Sequence, residues 1–191
     1  MRVIAGSAGG IRLAVPKDDV RPTMDRVKAA IFSSLGDAVI GARVLDLFAG
    51  SGALGIEALS RGSSSAVFVE QDRQSAETIK VDLRKTKLTG RIRQQDVFDF
   101  LQQASTPETF QIIFADPPYQ KTKQGERYTE KLLWDKVLPQ LLNVEGIFVL
   151  EKDPSERIPV TKFWNIMRAR KYGSTEVLFL SVIRNPQPAI Q

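Results

Sequence analysis

The 191-residue chain contains no cysteine and no histidine. Without cysteine it cannot form a disulfide, a thiolate metal site or a thiol nucleophile. Without histidine it lacks the usual general base at neutral pH and the commonest metal ligand. Any chemistry must therefore use carboxylates, hydroxyls, backbone groups or a bound cofactor, and we expect no metal.

Long hydrophobic runs are also missing, and stretches such as 146–150 are far too short to cross a bilayer. The N-terminus has neither a long apolar core nor a secretory cleavage pattern. We therefore expect a cytoplasmic protein with no membrane partner, and a monomer. The net charge of +5 suits a polyanionic partner such as nucleic acid, although many basic proteins bind none.

From residue 43 onward, apolar strands alternate with helical stretches, which indicates an α/β fold around a buried parallel sheet. The predicted strands are 43–48, 66–70, 91–95, 111–115, 146–151, 165–171 and 175–183, the last two forming a hairpin-like pair. The predicted helices are 53–60, 73–87, 97–103 and 127–142. Residues 1–20 are expected to form a small β-hairpin appendage with a flexible glycine tip, 21–184 the main domain and 185–191 a tail.

A glycine-rich turn follows the first strand of the predicted sheet. Residues 50–55 fit the pattern G-x-G-x-x-G, and Glu70 ends the next strand, where a carboxylate can accept hydrogen bonds from ribose hydroxyls. Ligands of parallel sheets bind at the carboxyl ends of the strands. The glycines could instead only shape a tight turn, but the strand, helix and acid together favour a nucleoside site.

Two further acids indicate which nucleoside is bound. Asp46 and Asp96 make the site acidic, which fits a cationic sulfonium better than a diphosphate. Asp46 can also accept a hydrogen bond from the ammonium group of a methionine moiety. Asp96 can also cap helix 97–103, and both roles are compatible. We therefore predict S-adenosylmethionine as the cofactor, with contacts from Asp46, Phe48, Gly50, Gly52, Glu70, Gln71, Asp96 and Val97.

Asp116-Pro117-Pro118-Tyr119 follows the apolar run 111–115 and predicts a pocket for a planar amine. The Asp116 carboxylate and the Pro117 carbonyl are acceptors that can hold both hydrogens of an NH2 group. Tyr119 can stack on the base, which is worth about 1–3 kcal/mol. The alternative is a proline-rich loop with a helix-capping aspartate. Carbon-5 methylation of a pyrimidine normally needs a cysteine, whereas alkylation of an exocyclic amine needs mainly positioning.

Basic residues flank these motifs. The segment Arg21-Pro22-Thr23-Met24-Asp25-Arg26 is either a turn with Thr23 as N-cap or a basic flap near the cofactor and phosphates. Lys121 and Lys123 follow the amine pocket and form a candidate phosphate track. The predicted substrate contacts are Arg21, Thr23, Arg26, Lys121 and Lys123.

Together, the segments 21–27, 46–55, 57–62 and 116–119 resemble the RsmD family, the bacterial 16S rRNA (guanine-N2)-methyltransferases. The resemblance runs from about residue 2 to 183. It implies a Rossmann-like, S-adenosylmethionine-dependent methyltransferase sheet of seven mostly parallel strands with the last antiparallel, plus an N-terminal β-hairpin. By the same resemblance, Glu70 binds the ribose, Asp96 the adenine amine and residues 116–119 the guanine, on an assembling small ribosomal subunit.

One segment departs from that family. Its N-terminal hairpin commonly carries basic residues after Ile-Ala-Gly, whereas this chain has Ser7-Ala8-Gly9-Gly10. A grip on RNA would then be weaker here, or carried by Arg2, Arg12 and Lys17. Two other functions stay open: methylation of adenine N6 in DNA, and a non-catalytic RNA-binding assembly factor.

Overall fold

The computed structural model describes residues 1–14, 24–104, 108–118 and 127–184. Its helices are α1 (Met24–Leu35), α2 (Ala53–Ser60), α3 (Arg73–Thr86), α4 (Val97–Gln103), α5 (Tyr128–Trp134) and α6 (Leu138–Leu141). Its strands are β1 (Arg43–Leu47), β2 (Ser65–Val69), β3 (Arg91–Arg93), β4 (Phe110–Ala115), β5 (Leu142–Lys152), β6 (Trp164–Tyr172) and β7 (Thr175–Val182). A short 3-10 helix, Gly36–Val39, precedes β1.

The seven strands form one sheet in the order β3-β2-β1-β4-β5-β7-β6. Strands β1 to β5 are parallel, and β7 runs antiparallel to both β5 and β6. In register, Leu47 of β1 is paired with Val69 of β2 and with Ala115 of β4. These strands therefore end together, which brings the residues that follow them to one edge. The predicted α/β fold class, a mostly parallel seven-stranded sheet whose last strand runs antiparallel, is confirmed.

Hydrophobic cores cover both faces of the sheet, which explains why the central strands are apolar throughout. On one face α1, α2 and α3 pack against residues such as Val44, Phe68 and Phe114. On the other face α4, α5 and α6 pack against residues such as Leu45 and Ile113. Burial of each such side chain contributes about 1.5–3 kcal/mol. Within the described residues, no helix combines the length and apolar character that a bilayer crossing requires.

The prediction of a single helix over 127–142 is wrong. Helix α5 ends at Trp134, because the Asp135 carboxylate accepts hydrogen bonds from the N–H groups of Val137 and Leu138 at 2.8 and 2.7 Å and turns the chain. Pro139 lies in the first turn of α6, where backbone N–H groups have no acceptor within the helix, so the missing N–H of proline costs nothing. Strand β5 then starts at Leu142, four residues earlier than predicted.

The N-terminal segment has antiparallel pairing but only one isolated bridge, Arg2 with Arg12. The N–H of Val3 donates to the carbonyl of Ile11 at 2.9 Å, and Gly10 N–H donates back to Val3 at 2.8 Å. Ala8, in the predicted flexible tip, is buried, and its N–H donates to Ser60 Oγ on α2 at 2.9 Å. The described part of the segment is therefore docked on α2, while the proposed division into domains stays a prediction.

Candidate active site

A cavity of about 310 Å³ opens at the carboxyl edge of the sheet. It is large enough for a small-molecule ligand, since such pockets start at about 300 Å³. The predicted site residues that line it are Asp46, Phe48, Gly50, Glu70, Gln71, Asp96, Val97, Asp116, Pro117 and Pro118. The structure thus brings the predicted nucleoside site and the predicted amine pocket into one space.

The glycines of the turn between β1 and α2 are required by both conformation and packing. Gly50 and Gly52 adopt positive φ angles of 52° and 73°, a region that L side chains rarely enter. A Cβ on Gly55 would lie 2.3 Å from Cε1 of Phe68 on β2. Gly52 shapes the turn as the residue that precedes α2 and is not one of the cavity-lining residues. The turn leaves Gly50 and Ser51 facing the cavity.

Glu70 ties this turn to the end of β2. Its Oε2 accepts the N–H of Gly50 at 2.7 Å, and its Oε1 accepts the N–H of Asp72 at 2.7 Å. Each carboxylate oxygen retains lone pairs for further donors. The carboxylate is therefore held in a fixed orientation at the cavity wall, as recognition of a diol requires.

Asp46 is almost completely buried, with 2% of its surface exposed. Its Oδ2 accepts the N–H of Gly55 at 2.8 Å. Burial raises the pKa of Asp46 to about 8, against the opposing effect of the Gly55 hydrogen bond and with smaller contributions from Asp116 and Glu70. A buried carboxyl of this kind gains most from a cation placed beside it.

Asp96 caps helix α4, as the alternative interpretation of this residue predicted. Its Oδ1 accepts the N–H groups of Phe98 at 2.7 Å and Asp99 at 3.2 Å. Asp96 and the following Val97 nevertheless line the cavity. The structure therefore accommodates both the capping role and a cofactor-facing role.

Phe48, two residues after the buried Asp46, has a positive φ of 55°. Such a conformation costs a non-glycine residue about 1–3 kcal/mol and persists only where its surroundings impose it. Its ring meets Phe98 and Tyr128 edge-on, with centroid distances of 6.2 and 5.4 Å. These contacts hold Phe48 against the cavity wall.

Several predicted substrate residues lie outside the described residues: Arg21, Thr23, Tyr119, Lys121 and Lys123. Arg26 is described and lies on the exposed side of α1, whereas Val27, Lys28 and Ile31 of the same helix line the cavity. The assignment of all these residues to substrate binding stays a prediction.

Lys28 is a lining residue that the sequence analysis missed. Its Nζ donates to the carbonyl of Arg2 at 2.6 Å and lies 3.3 Å from Oε2 of Glu57. Burial lowers its pKa, although the neighbouring Glu57 carboxylate opposes this effect. Its position beside Val27 and one turn before Ile31, on the inward face of α1, was the available signal. Glu151 and Thr175 also line the cavity and were not predicted.

The model of the family described as "Conserved hypothetical protein 95" matches residues 1–181. The Ribosomal RNA small subunit methyltransferase D of Escherichia coli K12 is 35% identical over 176 residues, covering 91% of this chain and 85% of that protein. The chain belongs to the RsmD family. YlbH of Bacillus subtilis is 42% identical over 182 residues, covering 93% of this chain and 96% of YlbH.

Solved structures share the fold of this chain. The structure of yhhF from Escherichia coli matches with a TM-score of 0.79 and 32% identity, covering 95% of this chain and 97% of that one. The 16S rRNA N2 G1207 methyltransferase RsmC of Thermus thermophilus, solved with AdoMet and guanosine, matches with a TM-score of 0.69 and 24% identity. That match covers 86% of this chain and 44% of RsmC, and supports the fold.

Proposed function

We propose that this protein transfers a methyl group from S-adenosylmethionine to the exocyclic N2 amine of a guanine in 16S rRNA. The observation that carries the proposal is the joint cavity, in which Asp46, Glu70 and Asp96 lie alongside Asp116 and Pro117. The named function of the Escherichia coli relative, an rRNA small subunit methyltransferase, supports the same substrate class.

The residues present fit S-adenosylmethionine. Glu70, fixed by two backbone N–H groups, would hold the ribose, and Asp96 with Val97 would meet the adenine. Asp46 would face the positive charge of the methionine portion, which offsets the cost of burying its carboxylate. When bound, the cofactor supplies an electrophilic methyl group on a sulfonium.

The amine half of the cavity is formed by the residues that come directly after β4. Asp116 and the Pro117 carbonyl would accept the two amine hydrogens and so orient the nitrogen lone pair toward the methyl group. The bound cofactor would supply its methyl group to this nitrogen, so that a nitrogen–carbon bond would replace the sulfur–carbon bond. Asp116 stabilises the positive charge that develops on the amine, which then loses a proton to solvent.

The proposal is tested with small ribosomal subunits purified from cells that lack the gene. We expect tritiated methyl from S-adenosylmethionine to appear as N2-methylguanosine after nucleoside analysis by mass spectrometry. Methyl label on DNA adenine would instead identify the alternative adenine-N6 enzyme. Failure to bind S-adenosylmethionine in calorimetry would indicate the non-catalytic assembly factor.

Replacement of Asp116 tests the amine half of the cavity independently of the cofactor half. We expect Asp116→Ala to lower turnover at least about tenfold, or about 1.4 kcal/mol of activation free energy. Cofactor affinity should stay within about twofold, because this carboxylate addresses the amine. Steady-state kinetics and calorimetry measure the two effects, with Asp37→Ala, an exposed position in the 3-10 helix, as control. Unchanged turnover in Asp116→Ala would show that the amine pocket is misassigned.

We also propose that the enzyme acts as a monomer in the cytoplasm, where ribosomal subunits assemble. The cavity supports the monomer, because residues of one chain form both its cofactor half and its amine half. Light scattering on the purified protein tests the monomer, and a dimer mass would contradict it.

A further inference from the structure

A second carboxylate, Glu151, lines the cavity beside Asp116. Ala115 of β4 pairs with Leu150 of β5 in a parallel register, so Asp116 and Glu151 are the next residues on adjacent strands. Adjacent strands lie about 4.8 Å apart. The two carboxylates are therefore neighbours at the same edge of the sheet.

Glu151 lies on the side of Asp116 that is remote from the cofactor acids. Strand β4 pairs with β1, which carries Asp46, along one edge and with β5 along the other. Asp116 is therefore between Asp46 and Glu151 across the sheet. A ligand amine held at Asp116 would have the cofactor on one side and Glu151 on the other.

The end of β5 is fixed by the residue after Glu151. Lys152 is almost completely buried, and its Nζ donates to Glu176 Oε2 at 3.0 Å and to the Asp153 carbonyl at 2.6 Å. Side chains alternate between the faces of a strand. The ion pair of Lys152 therefore joins β5 to β7 on one face, while Glu151 and Thr175 line the cavity.

We infer that Glu151 accepts a hydrogen bond from N1–H of the target guanine and thereby makes the site selective for guanine over adenine. This inference rests on the proposed function. Guanine carries an N1–H donor directly beside its N2 amine, whereas adenine carries an N1 lone pair beside its N6 amine. An ionised carboxylate is only an acceptor, so it pairs with guanine N1–H and repels the adenine lone pair.

The base edges of guanine and adenine thus require opposite chemistry at this position. A site built to hydrogen-bond a particular donor rejects an analogue that lacks it, because the acceptor then faces a lone pair in place of the donor. Asp116 and Pro117 alone would hold the amine of either base. Glu151 adds the contact that distinguishes the two bases.

The test replaces only the charge and one acceptor of this side chain. Wild type, Glu151→Gln and Glu151→Asp are compared on small ribosomal subunits from cells lacking the gene, together with calorimetry of S-adenosylhomocysteine. Glu145→Gln is the matched control, since it is the same substitution at the exposed, opposite end of β5. Nucleoside analysis of the RNA measures N2-methylguanosine and N6-methyladenosine.

We expect Glu151→Gln to lower kcat/KM for guanine at least about tenfold, with S-adenosylhomocysteine affinity within about twofold of wild type. Glu151→Asp should recover most of this loss, because it restores an ionised acceptor, and Glu145→Gln should match wild type. The share of N6-methyladenosine should rise in Glu151→Gln, because an amide N–H can donate to the adenine N1 lone pair.

Three results would overturn the inference: wild-type kinetics in Glu151→Gln, an equal loss in Glu151→Asp, or a parallel loss of S-adenosylhomocysteine affinity. The last two would make Glu151 a structural or cofactor residue. All three presuppose that wild type methylates guanine. Absence of N2-methylguanosine with wild-type enzyme would instead refute the proposed function itself.

Discussion

Asp46 shows how strongly a single residue depends on its surroundings. Its pKa moves from 3.8 to about 8 mainly because the side chain is buried. Between these two values the folded protein holds a proton that the unfolded chain has released. The free energy of unfolding therefore falls as pH rises from about 4 to about 8, by the linkage of proton binding to folding.

The same pKa predicts a pH dependence of cofactor binding. A cation beside Asp46 favours the ionised form, so below pH about 8 binding must release a proton. We expect affinity for S-adenosylmethionine to rise between pH about 6 and about 8, by at most about tenfold per pH unit. Calorimetry in two buffers with different ionisation enthalpies measures the released proton.

Asp46→Asn provides the control for this pH dependence. The amide oxygen can still accept the Gly55 N–H but cannot titrate. Proton release and the pH dependence should both disappear, and affinity should fall. A wild-type affinity that is flat over this range would show that Asp46 does not face the cofactor charge.

The N-terminal segment depends on α2 for its position. The fully buried Glu57 of α2 accepts the N–H groups of Ile4 and Ala5 at 2.7 and 3.1 Å. Its charge is balanced by Lys28 at 3.3 Å and Arg61 at 2.7 Å. Removing one partner of such a buried ionic group typically costs about 3–5 kcal/mol. The segment is thus joined to the helix whose first turn follows the glycine-rich loop.

Two glycines of this segment allow a matched test of docking. Gly6 and Gly10 have nearly equal φ angles of 86° and 87°. A Cβ on Gly6 would lie 1.8 Å from the Ser60 carbonyl oxygen, whereas a Cβ on Gly10 would meet nothing within 4 Å. Both alanine variants carry the left-handed strain of about 1–2 kcal/mol, but only Gly6→Ala also forces the segment off α2.

We expect Gly6→Ala to lower the free energy of unfolding by about 1–3 kcal/mol more than Gly10→Ala. Urea denaturation of the two variants measures this difference. Equal stabilities would mean that the segment is not docked on α2 in solution.

The elements also differ in how far local sequence specifies them. Helices α2 and α4 match their predicted bounds because a glycine turn and the Asp96 cap mark their starts locally. The break between α5 and α6 was missed because apolar spacing continues through Asp135. The docking of Ile4 on Glu57 joins residues 53 positions apart, and no local pattern contains that contact.

For the whole molecule, topology decides which parts of the site could be predicted. Acids at strand ends share an edge in any parallel sheet, so Asp46, Glu70 and Asp116 could be grouped from sequence. Glu151 ends the predicted strand 146–151 and was available by the same rule, but its place directly beside Asp116 required the β4–β5 register. Lys28 shares a helix face with Ile31 in the sequence, but its place in the cavity wall required the packing of α1 against the sheet.

The cavity wall combines residues from distant parts of the chain, including Lys28, Glu70, Asp116 and Glu151. A ligand that binds this wall binds only the folded molecule. It therefore stabilises the protein by RT ln(1 + [L]/Kd), or about 2.7 kcal/mol at a ligand concentration of 100 Kd. For a domain of this size that corresponds to a rise in Tm of about 5–10 °C.

We expect S-adenosylhomocysteine to produce this shift in wild type and to produce little shift in Glu70→Ala at the same concentration. The comparison uses the change in Tm on adding ligand, because Glu70 also holds the Gly50 and Asp72 N–H groups in the free protein. Glu77→Ala is the control, since its pair with Lys80 is exposed and surface ion pairs of this kind contribute little to stability. A full shift in Glu70→Ala would place the ribose contact elsewhere, because a ligand that loses its diol partner cannot stabilise the fold to the same extent.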